Sequence, residues 1–301
     1  HGFILPTDYQ ARDQAPQPFG LARVKNYFEQ VIAKYGRENV LIIDNGDFLQ
    51  GSALTAYTHR QGTKEAYQAL AQAYNLLDYD YGILGNHDFN FGLDVLKTNL
   101  QLAQRKFLAA NVLDETTGDS LVGAKYDLIE KAGVTVGVIG LTTQYIPHWE
   151  DPRHIPNLVF QDVVAVLEKL VPEVRAQADV VVVSYHGGFE RDLTTGVPTE
   201  RETGENLGSK ILATIPGIDV LLTGHQHRKL AFTQGQTLVV QPGFQAELVG
   251  QVDLELRRNE QNQVELTSGA AKIVSMATVE PSAEVLEQLA SYNEQVEDFL
   301  D

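Results

Sequence analysis

Imidazole, carboxylate and carboxamide groups are the side chains in this sequence whose spacing points to chemistry. They form four short clusters, each just after an apolar run. Asp47 follows residues 40–44, Asn86 and His87 follow 81–84, His186 follows 179–184, and His225 and His227 follow 219–223. Apolar runs of that length read as buried strands, and open α/β sheets place their chemistry beyond the carboxyl ends of the strands. Eight histidines scattered at random would not put four of them on post-strand turns beside glycine. The chain has no cysteine, so thiolate sites are excluded. His, Asp and Asn together suit borderline divalent cations such as manganese, zinc, iron or cobalt. The two oxygens of Asp47 can bridge a pair of such ions, which would polarise a phosphoryl group and acidify the water between them. His87, next to the Asn86 ligand, is then placed to protonate the leaving oxygen or to stabilise transition-state charge.

The elements that carry these clusters follow a strand, loop, helix order. After a loop containing Pro6, Pro16 and Pro18, helices are predicted over residues 21–35, 64–77, 93–103 and 161–176. Strands are predicted over 40–44, 81–84, 107–112, 134–141 and 179–184, the last being the most strand-like of all. This order predicts a layered α/β domain with mostly buried strands. Beyond residue 229 the runs 238–241, 248–256 and 264–274 are separated by short Asn, Gln and Gly turns and read as antiparallel hairpins. Residues 192–206, rich in Thr and Glu, read as a loop beside His186. Residues 282–300 read as a helix with Val285, Leu289, Val296 and Leu300 near one stripe.

With 43% hydrophobic residues in 301, the chain can bury a sizeable core in one large domain or two small ones. It has no run of about 18 apolar residues, so no membrane span is expected. A formal charge of −17 argues against a nucleic-acid polymer or an anionic membrane as the main partner. An anionic substrate would need local positive charge, which bound cations supply.

Taken in order, Gly46-Asp47-x-x-x-Gly51, Gly85-Asn86-His87-Asp88, the post-strand His186, and Gly224-His225-x-His227 resemble the successive motifs of calcineurin-like metallophosphoesterases. More narrowly, residues 43–47, 84–92 and 184–191 resemble the 5'-nucleotidase and 2',3'-cyclic-nucleotide 2'-phosphodiesterase family, its cyclic-nucleotide branch most. The likeness runs from His1 to about Leu256. It implies a four-layer αββα sandwich with a dimetal site at one edge. It also implies that Asp47 bridges two ions, one held by Asn86, His186 and His225. The other would be held by His227, His1 and an aspartate two residues before His1. His87 would be the catalytic histidine, the substrate a small nucleotide phosphoester, and the location extracytoplasmic, with a cytoplasmic one as the alternative.

Two departures from the family pattern matter. Its first motif is Asp-x-His, of which the sequence carries only His1, so a first strand is expected upstream. Plain 5'-nucleotidases have an aspartate three residues after the catalytic histidine, where this chain has Asn90, with Asp88 the nearer carboxylate. The resemblance also divides the chain. Residues 1–279 would form the catalytic domain, and residues 280–301 a connector helix toward a C-terminal domain that stacks the nucleobase between aromatics.

Taken singly, these residues have plainer readings. Asp47 suits a helix N-cap, and Asn86 suits a turn that tolerates left-handed backbone. His59, His148 and His154 read as surface residues, Tyr67, Tyr74, Tyr79 and Tyr81 as packing, and residues 200–205 as a solvated acidic loop. The ordered set favours a metal-dependent phosphoesterase acting on 2',3'-cyclic nucleotides and nucleoside monophosphates. The alternatives are a hydrolase of nucleotide-sugar or other small phosphoesters, and a non-catalytic metal- or nucleotide-binding module.

Overall fold

A computed structural model describes residues 1–8 and 15–300, so part of the expected loop between Pro6 and Pro18 lies outside the described residues. The chain runs through α1 (Leu21–Tyr35), β1 (Ile43–Asp44), α2 (Ala53–Gln61), α3 (Lys64–Asn75), β2 (Tyr81–Ile83), α4 (Leu93–Leu102), β3 (Lys106–Leu108) and β4 (Val112–Asp114). It continues with β5 (Tyr126–Lys131), β6 (Val134–Thr142), β7 (Leu158–Phe160), α5 (Val163–Arg175), β8 (Val180–His186), α6 (Gly208–Thr214) and β9 (Val220–Leu222). It closes with β10 (Lys229–Gln234), β11 (Thr237–Pro242), β12 (Leu248–Arg258), β13 (Val264–Ser275) and α7 (Ala283–Leu300).

Two sheets face each other. One is the parallel set β1-β2-β3, and the other has the order β10-β11-β9-β8-β6-β5. At its centre β8 is buried along its whole length, with parallel neighbours β6 and β9. A run of β-branched residues covered on both faces suits that position. Alternation along β8 divides the core. Val181, Val183 and Tyr185 pack toward α5 and α6, while Val180 and Val182 meet Tyr81, Ile83 and Leu108 of the smaller sheet. The sheets approach so closely at Gly140 that a Cβ there would lie 2.6 Å from the Ile83 side chain and from the Leu108 carbonyl oxygen. Helices α1 to α4 and α7 cover the outer face of the smaller sheet. The result is the four-layer αββα sandwich.

The hairpin β12–β13 pairs with neither main sheet. Between it, α1 and the free edge of β1 lies a cavity of about 870 Å³, lined by apolar side chains such as Val24, Phe28, Val136 and Val252. Its mouth reaches His1, Asp47 and His227.

Several expectations shift. The run expected as one strand over 107–112 divides, because Ala109 to Asn111 cross between the sheets. Ala110 bonds to the Gly140 carbonyl, and the Asn111 side chain donates to the Thr142 carbonyl. Helix α2 was not expected; its start is fixed by a capping box between Ser52 and Thr55. In α7, Val285, Leu289 and Val296 are buried as expected, but Leu300 is 48% exposed. The final turn overhangs, and there Phe299 meets Tyr57 and Arg60 instead. Among the described residues, no helix is long and apolar enough to cross a membrane.

Candidate metal centre

The four clusters meet where strands from both sheets end. Asp47 follows β1, Asn86 and His87 follow β2, His186 closes β8, and His225 and His227 follow β9. The turns are tight. A Cβ at Gly85 would lie 2.2 Å from Asp47 Oδ1, and one at Gly46 would lie 2.5 Å from the Gly85 nitrogen. Asp47, His225 and His227 themselves have left-handed backbone, with φ of 67°, 70° and 58°. Asp88 ties two of the turns together. Its buried carboxylate accepts from the amides of Asp47 (2.9 Å), Gly85 (2.8 Å) and Leu49 (3.0 Å). Asp88 therefore faces away from the His87 ring. Burial and the charge of Asp47 push its carboxyl up, against the amides of Gly85 and Leu49 that pull it down.

Besides Asp47, the five other expected ligands fall into two groups beside it. In the first, Asn86 Oδ1 lies 3.2 Å from His186 Nε2 and 3.0 Å from His225 Nδ1. Asp47 Oδ2 is 3.2 Å from His186 Nε2. In the second, His1 Nε2 and His227 Nε2 are 2.9 Å apart, and His1 Nδ1 is 4.0 Å from Asp47 Oδ2. His87 donates its backbone N–H to Asp47 Oδ1 at 2.9 Å. One ligand atom each from His1, Asp47 and His87 falls within a 4.8 Å cluster.

The donor set fits divalent cations. His186 Nδ1 donates to the Asn45 carbonyl at 2.7 Å, so its Nε2 presents a lone pair to the oxygens of Asp47 and Asn86. Lone pairs that converge in this way repel unless a proton or a cation lies among them. His1 Nδ1 is buried with no hydrogen-bond partner. His225 Nε2 meets Glu205 Oε1 at 2.8 Å, which leaves Nδ1 for the site. Carbonyl or carboxylate partners on the far nitrogen are the usual support for a histidine ligand. Burial opposes charge at His186, but the Asp47 carboxylate prevails and raises its pKa. Burial likewise opposes ionisation of Asp47, but a proton on His186 Nε2, in the absence of a cation, holds its carboxyl well below the usual range by charge and hydrogen bond. Burial, reinforced by the charge of His186, lowers His225. Burial also lowers His227.

Sequence reasoning missed several partners. Asn45 fixes His186 through its carbonyl and receives the Ser184 hydroxyl at 2.7 Å; its position beside β1 was a usable signal. Glu205 lies in the acidic run read as solvated, and its carboxylate instead supports His225. His59, read as a surface residue, is half-buried, stacked on Phe91 and bonded to the Leu49 carbonyl. His154, read the same way, meets Glu150, whereas His148 is exposed against Tyr145. Tyr67, Tyr74 and Tyr81 are buried packing residues, and Tyr79 packs partly buried beside them. Two aromatics flank the site, Trp149 beside His225 and Phe244 stacked on His227.

The calcineurin-like phosphoesterase profile matches residues 2–229, a span that includes all the clusters but His1. The chain belongs to the calcineurin-like phosphoesterase family. These phosphoesterases use divalent metal ions. The chain is 29% identical to a 2',3'-cyclic-nucleotide 2'-phosphodiesterase/3'-nucleotidase of Yersinia enterocolitica, over all of this chain and 49% of that protein. It is 30% identical to the Salmonella typhimurium protein of the same name, over 90% of this chain and 44% of that one. The chain thus spans about half the length of the curated relatives it matches. Among solved structures, a putative 5'-nucleotidase from Staphylococcus aureus superposes with a TM-score of 0.87 and 38% identity, covering 100% of this chain and 57% of that one. The calcineurin-like phosphoesterase YfkN of Bacillus subtilis superposes with a TM-score of 0.81 and 25% identity, covering 99% and 95%.

Proposed function

We propose that this phosphoesterase hydrolyses small nucleotide phosphoesters, 2',3'-cyclic nucleotides and nucleoside monophosphates first, using two divalent ions. The observation that supports this most is the division of the ligands into two touching groups that share Asp47. Asn86, His186 and His225 would hold one ion, His1 and His227 the other, and Asp47 both. Ions bound there would polarise a phosphoryl oxygen and make a water acidic. Asn45 and Glu205 hold the rings of His186 and His225 by their outer nitrogens. His87 engages Asn90 through Nδ1 at 2.7 Å, which leaves Nε2 for the substrate. From Nε2 a proton passes to the leaving oxygen as its bond to phosphorus breaks. The names of the two enterobacterial relatives favour a cyclic-nucleotide substrate.

The same reading puts the first-motif aspartate two residues upstream of His1, beside His227. It makes residues 1–279 the catalytic domain and α7 the connector to a nucleotide-binding domain. It also places the enzyme outside the cytoplasm. The test uses the chain extended upstream of His1. Manganese- or cobalt-dependent release of nitrophenol from bis-p-nitrophenyl phosphate is expected, with two metal equivalents by elemental analysis. No turnover with any divalent metal, or at most one equivalent bound, would make this a binding module instead.

A further inference from the structure

Among the described residues, no carboxylate hydrogen-bonds to the His87 ring, although a carboxylate oxygen of Asp47 comes within 4.8 Å of one of its nitrogens. Its Nδ1 meets Asn90 Oδ1 at 2.7 Å, and an amide carries no charge to hold an imidazole in place. The amide of Asn90 is itself held from behind. Its Nδ2 donates to Glu150 Oε2 at 2.6 Å. Glu150 is fixed in turn, since its other oxygen accepts from His154 Nδ1 at 2.7 Å and from the Asp151 amide at 3.0 Å. The Glu150 side chain is only 7% exposed. Four side chains thus run in series from the protein surface to the mouth of the metal centre.

The direction of each bond follows from chemistry. A carboxylate only accepts, so the NH2 of Asn90 must face Glu150 and its carbonyl must face His87. A carbonyl also only accepts, so His87 Nδ1 must carry a hydrogen. We propose that Glu150 is a positioning residue for His87. By fixing which way the Asn90 amide points, it fixes the ring's tautomer and leaves Nε2 as the nitrogen that gains and gives the proton. It also supplies, one residue removed, the negative charge that a carboxylate at position 90 would supply directly. With Asn90 reversed, its NH2 would face His87 and favour hydrogen on Nε2, the wrong face for receiving a proton. This inference rests on the reading of His87 as the general acid.

The test has a spectroscopic arm and a kinetic arm. In 15N-histidine-labelled protein without added metal, the His87 ring, assigned by its loss in His87→Ala, should show one Nδ1–H tautomer. In Glu150→Ala it should show a mixture. In the manganese-loaded full-length enzyme, Glu150→Ala should lower kcat for 2',3'-cyclic AMP by about 10- to 100-fold, a part of what a general acid contributes, with KM nearly unchanged. The nitrophenyl diester should be barely affected, because nitrophenolate leaves without a proton. The double variant Asn90→Asp with Glu150→Gln keeps shape and hydrogen-bond count and puts the carboxylate next to His87. It should restore the rate and the single tautomer. An unchanged tautomer in Glu150→Ala, equal losses on both substrates, or a double variant as slow as Glu150→Ala would overturn the proposal. If His87→Ala itself spared the cyclic nucleotide, the general-acid reading would fall instead.

Discussion

Removing the Glu205 carboxylate tests whether His225 is held for a metal. Glu205 Oε1 lies 2.8 Å from His225 Nε2, and among the described residues it is the carboxylate in contact with that ring. The backbone of Glu205 is secured separately, because its carbonyl accepts from Thr143 Oγ1 at 2.7 Å and from the Tyr185 hydroxyl. Truncating the side chain therefore frees the imidazole without releasing the loop. Losing a partner behind a ligand typically costs 10- to 100-fold in metal affinity. The Glu205 side chain is 31% exposed, so solvent screens part of the interaction. The low end applies, about 10-fold or roughly 1.4 kcal/mol. In a calorimetric manganese titration Glu205→Ala should weaken one class of site by that factor and leave the other unchanged. Unchanged affinity at both sites, or equal loss at both, would refute the division of ligands.

Other expectations follow from particular contacts. Gly85→Ala would drive a methyl into Asp47, whose amide is tied down by Asp88; overpacking of about 1–3 kcal/mol should lower the melting temperature and weaken metal binding together, and a melting point equal to the parent's would show that the turn yields. His87→Ala should lose turnover of 2',3'-cyclic AMP, whose leaving oxygen needs a proton, while elemental analysis still finds the metals; loss of metals would make His87 a ligand. Burial holds the pKa of His59 below the ordinary 6.5, so its contribution to stability is present above that value and fades as pH falls through the folded pKa. Denaturant titrations of His59→Gln should therefore show a shallower loss of stability on acidification than the parent, and parallel curves would contradict this. Leu167, fully buried between α5 and the large sheet, should cost about 2–5 kcal/mol as Leu167→Ala in urea unfolding; a cost under about 1 kcal/mol would mean the site collapses on itself.

The parts of the fold legible in the sequence were those whose signal is local. β8 announces itself as four consecutive valines, and α1 by apolar spacing between Gly20 and Gly36. The clusters at Asp47, Asn86, His186 and His225 were legible because each sits at the end of such a strand or just beyond it. The supports behind them were not. Glu205 is 20 residues from His225 in a loop without period, and Glu150 is 60 from Asn90. Nothing within a short window marks either one, because only the closing of two sheets brings them to the site. The crossing at Ala109 to Asn111 was hidden for the same reason, since an apolar run looks alike whether or not it changes sheets. Leu300 was misplaced because helical spacing says which face a residue shares and not where the neighbouring surface ends.

The left-handed turns at Asp47, His225 and His227 set protein durability against use. A side chain in that conformation costs on the order of 1 kcal/mol relative to glycine at the same place. Three such positions in one centre make this the part of the chain where replacing a working residue most directly relaxes the backbone. Directed selection for heat resistance alone, with no demand for turnover, should therefore enrich glycine at positions 225 and 227 early. The survivors would be sturdier and empty-handed. A thermostable variant of this protein is best sought in the helices and hairpins, with these two turns held fixed throughout the search.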